Sequence, residues 1–412
     1  MKKVKNLFLY GLLLFAFFPI TPNRLKGLPV ILLFAIALFT FITNKKQAFN
    51  FKKVIFYASL YILYILSLFF TDNFVDIDKT LTTRLSILIF PILFGLVSTT
   101  KIYITPKQIR LFLTTYFVVS IIYCYLILLF FYQLGFLTQN TNINLYYSHL
   151  NHEMWGISQH PIYASLFISI SVLFGIELLF TLKRKLHKMG ILVGIFLLFS
   201  MLLFLSRKGV LLALVLASVV YMVYRVKSLK QKKYVLIGLV AVGLMILVAP
   251  VTQKRFKEVF IARSYNQIEN TNSTSIRFGI YKCAIEKIKE KPIFGHGIGD
   301  VRNELANCYA QTSDVLLEKS YHSHNQYLGV WLDCGIIGLI IFFLFLFVNF
   351  KLALGQKNIL FFSLLSFFSI LMLFDNILEQ QSGVILFSLI INFFAFINIK
   401  NHKNSFNFDE LN

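Results

Sequence analysis

Five cationic or titratable side chains stand out, four where apolar sequence gives way to polar sequence and one inside the long polar segment. They are His322 and His324 in His-Ser-His-Asn-Gln-Tyr, Arg207 and Lys208 in Leu-Ser-Arg-Lys-Gly, and Arg277 in Ser-Thr-Ser-Ile-Arg. A histidine near its ordinary pKa in a partly dry setting can take a proton from a hydroxyl. Guanidinium groups grip phosphate oxygens through a planar fork. Each residue also has a plainer reading: a histidine bonded to backbone, two cations snorkelling to lipid headgroups, and a solvated arginine in a polar segment. Residue type alone leaves both sets open.

A second tier could support that chemistry. Asp375 and Glu379 lie four residues apart, as on one helical face, where either could orient His324 or hold an arginine. Arg84 with Lys79, His160 and Tyr163 in His-Pro-Ile-Tyr, and Asn325 beside His324 could add contacts. No His or Cys spacing resembles a zinc site and no acidic cluster suggests a divalent cation, so neither metal nor cofactor is expected. Gly295-His-Gly-Ile-Gly299 follows a helical pattern and Pro292 rather than a strand, which excludes a dinucleotide loop. Its glycines read as a tight turn laying backbone close to a partner or the membrane.

The elements that must position these groups are helical and apolar. Of 412 residues, 57% are hydrophobic, 46 are Phe and only 14% are charged, with a mean hydropathy of +0.72. A spanning helix needs roughly 20 apolar residues. Such runs occur near 6–22, 27–43, 54–70, 82–98, 109–133, 160–181, 189–206, 209–225, 234–250, 326–349, 358–374 and 383–399. The expectation is an all-α polytopic membrane protein with about twelve transmembrane helices. A β-barrel is excluded because the runs are continuously apolar rather than alternating.

Net charge of +22 does not indicate nucleic acid here, because its distribution follows the membrane. With the N-terminus inside, the connecting segments on that side carry twenty-three Lys and Arg, among them Arg110, Arg225 and Lys357, against six in the short outer segments. That asymmetry puts both termini in the cytoplasm. The long segment 251–325 then faces outward between the ninth and tenth spans, dividing the chain into 1–250, 251–325 and 326–412. The first apolar run lacks a small-residue cleavage site and reads as a retained span.

Within 251–325, Thr274-Ser275 precedes a helical pattern of Ile276, Ile280, Ala284 and Ile288 that ends before Pro292. Arg277 falls in its first turn, where a cation gains nothing from the helix dipole, so an anionic partner is expected elsewhere. Cys283 and Cys308 share this segment and could form a disulfide in an oxidising compartment or remain two buried thiols. At 100° per residue, His324, Leu328, Trp331, Gly335 and Gly338 share about one face, with Asp333 roughly opposite. That predicts His324 held at the mouth of a bundle, with the glycines admitting a neighbouring helix.

Taken together, Ser206-Arg207-Lys-Gly209, Ser275-Ile-Arg277, Pro292-Ile-Phe-Gly-His-Gly-Ile-Gly299, His324-Asn-Gln-Tyr-Leu and Gly335-Ile-Ile-Gly338-Leu resemble the O-antigen ligase superfamily. The resemblance is most specific from about 200 to 340. That family also contains O-antigen polymerases and protein O-oligosaccharyltransferases. The resemblance implies transfer of a glycan from undecaprenyl diphosphate to an acceptor hydroxyl on the periplasmic face of the bacterial inner membrane. Arg207 and Arg277 would bind the diphosphate and His324 would activate the acceptor. Ligases use the lipid A core, polymerases another lipid-linked repeat unit, and the oligosaccharyltransferases Ser or Thr of proteins. Ligation to lipid A core is the first expectation, by a metal-independent enzyme that inverts the anomeric carbon.

A different class also fits twelve spans with both termini inside, namely a transporter or lipid flippase. Transporters place ionisable groups near mid-depth, whereas here they cluster at the outer edge, apart from Glu177 and Asp333. A membrane scaffold explains the topology but not Arg207, Arg277 and His324 on one side.

Overall fold

The computed structural model describes residues 2–44, 47–100, 102–136, 143–226, 268 and 272–397. Among the described residues the regular elements are helices. They are α1 (Lys2–Leu14), α2 (Leu28–Asn44), α3 (Phe51–Leu66), α4 (Ile77–Arg84), α5 (Ser86–Ser98), α6 (Pro106–Gln133), α7 (Ile143–His152), α8 (Pro161–Thr181), α9 (Lys185–Leu205), α10 (Lys208–Arg225), α11 (Ser273–Glu290), α12 (Val301–Thr312), α13 (Asp314–Lys319), α14 (Gln326–Gly355), α15 (Ile359–Leu371) and α16 (Gln381–Phe396), with short 3₁₀ turns between some of them.

Eight of the described helices are long and apolar enough to cross a membrane. The expected count was about twelve. Asn6–Ile20, Ile359–Leu371 and Gln381–Phe396 are apolar but shorter, and the run 234–250 lies outside the described residues.

Helix α8 is the axis of the bundle. Apart from Tyr163, Glu177 and small hydroxyls it is apolar on every face, and 94% of its membrane-length window is buried, as expected of a helix with no solvent or lipid side. Pro161 opens it at the first helical position, where a missing N–H costs nothing. Around it pack α6, α9, α10 and α15.

Helices α11 to α13 form a smaller lobe with its own core of Ile280, Cys283, Ala284, Leu305, Tyr309 and Leu316, closed by a Cys283–Cys308 disulfide. The capping residue of α11 is Asn272, whose side chain accepts from Thr274 N and Ser275 N, so the helix begins just ahead of the expected Thr274-Ser275. Asp300 fastens the lobe to the bundle by accepting from the backbone N–H groups of Asp72 (2.8 Å) and Asn73 (2.7 Å).

Helix α14 is broken at Gly335, with φ 67° and ψ −170°. The turn after Pro292 fills the break: Ile336 N donates to Pro292 O (2.9 Å), His296 N to Leu332 O (2.7 Å) and Gly297 N to Asp333 O (3.2 Å). Backbone groups released by the kink are thus satisfied by another segment. This corrects two expectations. The neighbour admitted at Gly335 is this turn, whose Ile293 carbonyl would collide with any Cβ there, and not a helix. The Gly295–Gly299 glycines approach α14 and the Phe70–Thr71 corner of the same chain.

Candidate active site

Every helix end that carries a candidate residue lies at one end of the bundle. His160 precedes α8, Arg207 and Lys208 open α10, His324 precedes α14, and Asp375 follows α15. The reversal between α9 and α10 takes a single left-handed residue, Ser206 (φ 51°), which leaves Arg207 as the residue preceding α10. Its guanidinium sits 5.2 Å over the Tyr147 ring from α7, a favourable cation–π contact.

Arg207, Lys208, Arg277 and Asp375 line one cleft of about 390 Å³, walled by Ile162, Leu371 and Phe374. Lys208 Nζ donates to Thr274 Oγ1 (3.3 Å), tying α10 to the start of α11. Arg277 Nε is buried without a hydrogen-bond partner among the described residues. A buried donor with no acceptor is costly, and an anionic oxygen would satisfy it. Gly209 permits this closeness, since a Cβ there would stand 2.5 Å from Phe374 Cβ.

His324 differs from the helical placement expected of it. It precedes the Asn325 cap of α14 and has φ 44°, so it shares no helical face with Leu328 or Trp331. A left-handed conformation in a non-glycine residue needs surrounding restraint. Here the His324 N–H donates to His322 Nδ1 (3.2 Å) and its carbonyl accepts from the Tyr281 hydroxyl (3.2 Å). The imidazole lies between the rings of His322 (4.3 Å) and Tyr321 (5.5 Å).

Asp375 faces that imidazole, with Oδ2 3.6 Å from His324 Nδ1, an ion-pair distance rather than a hydrogen bond. Its Oδ1 accepts from Asn376 N (2.8 Å). Burial lowers the His324 pKa and Asp375 pulls it back up; the net is below the ordinary value. Burial alone would raise the Asp375 carboxyl, but His324, with His322 and Arg277 beyond, holds it well below the usual carboxylate range. Near neutral pH the pair is therefore an ionised carboxylate beside a neutral imidazole, which can accept a proton.

His322, His324 and Asp375 also offer ligand atoms within 4.8 Å of one another, a set that could hold a metal ion. Sequence spacing does not reveal this set because Asp375 comes from a distant loop.

The supporting residues divide. Asn325 caps α14, accepting from Tyr327 N (2.9 Å) and Leu328 N (3.2 Å). His160 is exposed and caps α8, accepting from Ile162 N (3.4 Å). Tyr163 donates to Asn376 O (3.2 Å). Asp375 and Glu379 do not share a helical face, because Asp375 lies in the loop and Glu379 ends a 3₁₀ turn.

Arg84 is not open to a substrate. It is 5% exposed, bonded to Asp333 Oδ2 (2.8 Å), 3.9 Å from Glu379 Oε1 and 4.2 Å over the Tyr64 ring. Lys79 is exposed on the same helix.

Several positioning residues escape the sequence reading. Gln326 N donates to Met372 O (2.8 Å) and Gln326 Oε1 accepts from Leu378 N (2.8 Å), clamping the start of α14 to the loop that carries Asp375. Asn376 bonds Ser323 Oγ (2.9 Å) and Glu379. Tyr281 is one turn beyond Arg277 on α11; that i, i+4 spacing was the available signal.

Over 140 residues the chain is 29% identical to an uncharacterized protein of Haemophilus influenzae, a match covering 31% of this chain and 33% of that one. The chain thus spans about a third of that curated relative's length. Residues 192–343 match the family described as O-Antigen ligase, and this segment holds Arg207, Lys208, Arg277, His322 and His324.

Proposed function

We propose that the chain is a membrane glycosyltransferase that moves a glycan from a polyprenyl-diphosphate carrier to an acceptor hydroxyl, most simply O-antigen ligation to lipid A core. The observation that carries this reading is the cleft in which Arg207, Lys208, Arg277 and Asp375 meet, with His324 against Asp375. Arg207 and Arg277 take the diphosphate of undecaprenyl diphosphate, and Lys208 adds a third positive charge. As the anomeric C–O bond breaks, charge accumulates on the departing diphosphate, and fixed guanidinium groups sheltered from water stabilise it.

The acceptor hydroxyl loses its proton to neutral His324 as its oxygen bonds the anomeric carbon. Asp375 stabilises the imidazolium that results. Attack opposite the leaving diphosphate inverts the anomeric configuration. Twenty-three inner cations against six outer ones favour an inner-membrane protein with this end of the bundle periplasmic, the segment 251–325 outside and both termini cytoplasmic.

The test is the lipopolysaccharide ladder and the pool of undecaprenyl-linked glycan in a strain lacking the protein. Loss of all core-linked polymer with long lipid-linked chains accumulating is expected for a ligase. A core capped by one repeat unit would mean polymerase, and an unchanged ladder would move the search to protein glycosylation or transport.

A further inference from the structure

At the opposite end of the bundle, roughly 27 Å along α10 from Arg207, a second cleft of about 540 Å³ opens between the starts of α6 and α15 and the ends of α8 and α10. Three cations line it, Arg110, Arg225 and Lys357, against one carboxylate, Glu177. Glu177 is buried and accepts from the Tyr221 hydroxyl (2.5 Å).

Two donors here are left over. Asn358 is 3% exposed; its Oδ1 caps α15 by accepting from Phe361 N (3.0 Å), while its Nδ2 is buried with no partner among the described residues. Arg110 Nε, in the first turns of α6, is likewise buried without one. Two helix N-termini and two unmet donors beside an excess of positive charge form a site for an anion with several acceptor oxygens.

The adjoining cavity says what else that anion carries. It shares Ile109, Leu113 and Phe394 with the cationic cleft, and apart from Gln108 is lined by apolar side chains such as Leu12, Phe174 and Leu389.

We propose that this end of the bundle binds one anionic phospholipid, its phosphate against Arg110, Arg225, Lys357 and Asn358 Nδ2 and an acyl chain in the apolar cavity. The three cations belong to the set that the charge asymmetry assigns to the cytoplasmic side, the leaflet where such lipids attract basic residues. The site uses no residue of the glycan-transfer reading and stands apart from it.

The full chain, purified in mild detergent, is titrated with phosphatidylglycerol, phosphatidylethanolamine and glycerol phosphate and read by native mass spectrometry. One phosphatidylglycerol is expected to bind about ten-fold more tightly than either other probe. Arg110→Gln, and Asn358→Asp, which keeps the helix cap but replaces the donor with a carboxylate, should each lose about that ten-fold preference while the melting temperature holds. Equal binding of phosphatidylglycerol and phosphatidylethanolamine, an affinity unmoved by both substitutions, or glycerol phosphate binding as tightly as the lipid would overturn the proposal. Because the readout is lipid retention, none of these outcomes bears on glycan transfer.

Discussion

Asp375 Oδ2 stands 3.6 Å from His324 Nδ1, although one residue follows α15 and the other precedes α14. The contact exists because Gln326 bonds both Met372 O and Leu378 N, on either side of Asp375. If His324 is the base, Asp375 offsets part of the pKa depression that burial imposes on it.

Asp375→Asn tests that dependence. Activity should fall as pH drops through the His324 pKa, because the base must be neutral, and this acidic limb should lie below the ordinary histidine value. Asp375 raises that pKa, so its removal should move the limb to still lower pH while kcat/KM drops roughly 10²-fold. A limb that stays in place would show that Asp375 only supports the fold.

For the diphosphate, Arg277→Ala should reduce kcat/KM by roughly 10²–10³-fold. Arg277→Lys should recover little, since an ammonium is a point charge without the planar fork. Full rescue by lysine would reduce the role of Arg277 to bulk electrostatics.

Arg84→Ala separates structure from catalysis. Removing one partner of a buried ion pair leaves Asp333 uncompensated and costs about 3–5 kcal/mol, so low folded yield and a lower melting temperature are expected. A well-folded variant that fails only in donor binding would return Arg84 to the substrate site.

Zinc distinguishes an accidental chelate from a working one. Added Zn²⁺ should inhibit by engaging His322, His324 and Asp375, His322→Ala should weaken that inhibition, and a chelator should leave basal transfer unchanged. Activity abolished by the chelator and restored by a metal would make the cluster a cofactor site.

Helicity and membrane character were legible because both depend on local composition: eleven of the twelve apolar runs coincide with described helices, eight of them long enough to span. The amphipathic spacing of Ile276, Ile280, Ala284 and Ile288 likewise identified the buried face of α11. Periodicity misled at His324, because a helical wheel assumes a helix that begins only after Asn325 and breaks at Gly335.

By itself, the sequence determined which residues could do chemistry and that most of them lie near helix ends, since desolvation makes charge costly within apolar runs and leaves Glu177 and Asp333 as exceptions there. Only the tertiary structure decided which of them meet. It put Asp375 with His324 and Glu379 near Arg84, joined Cys283 to Cys308, and removed Arg84 from the site by pairing it with Asp333. Such pairings depend on packing between helices far apart in the chain, and no local spacing encodes them.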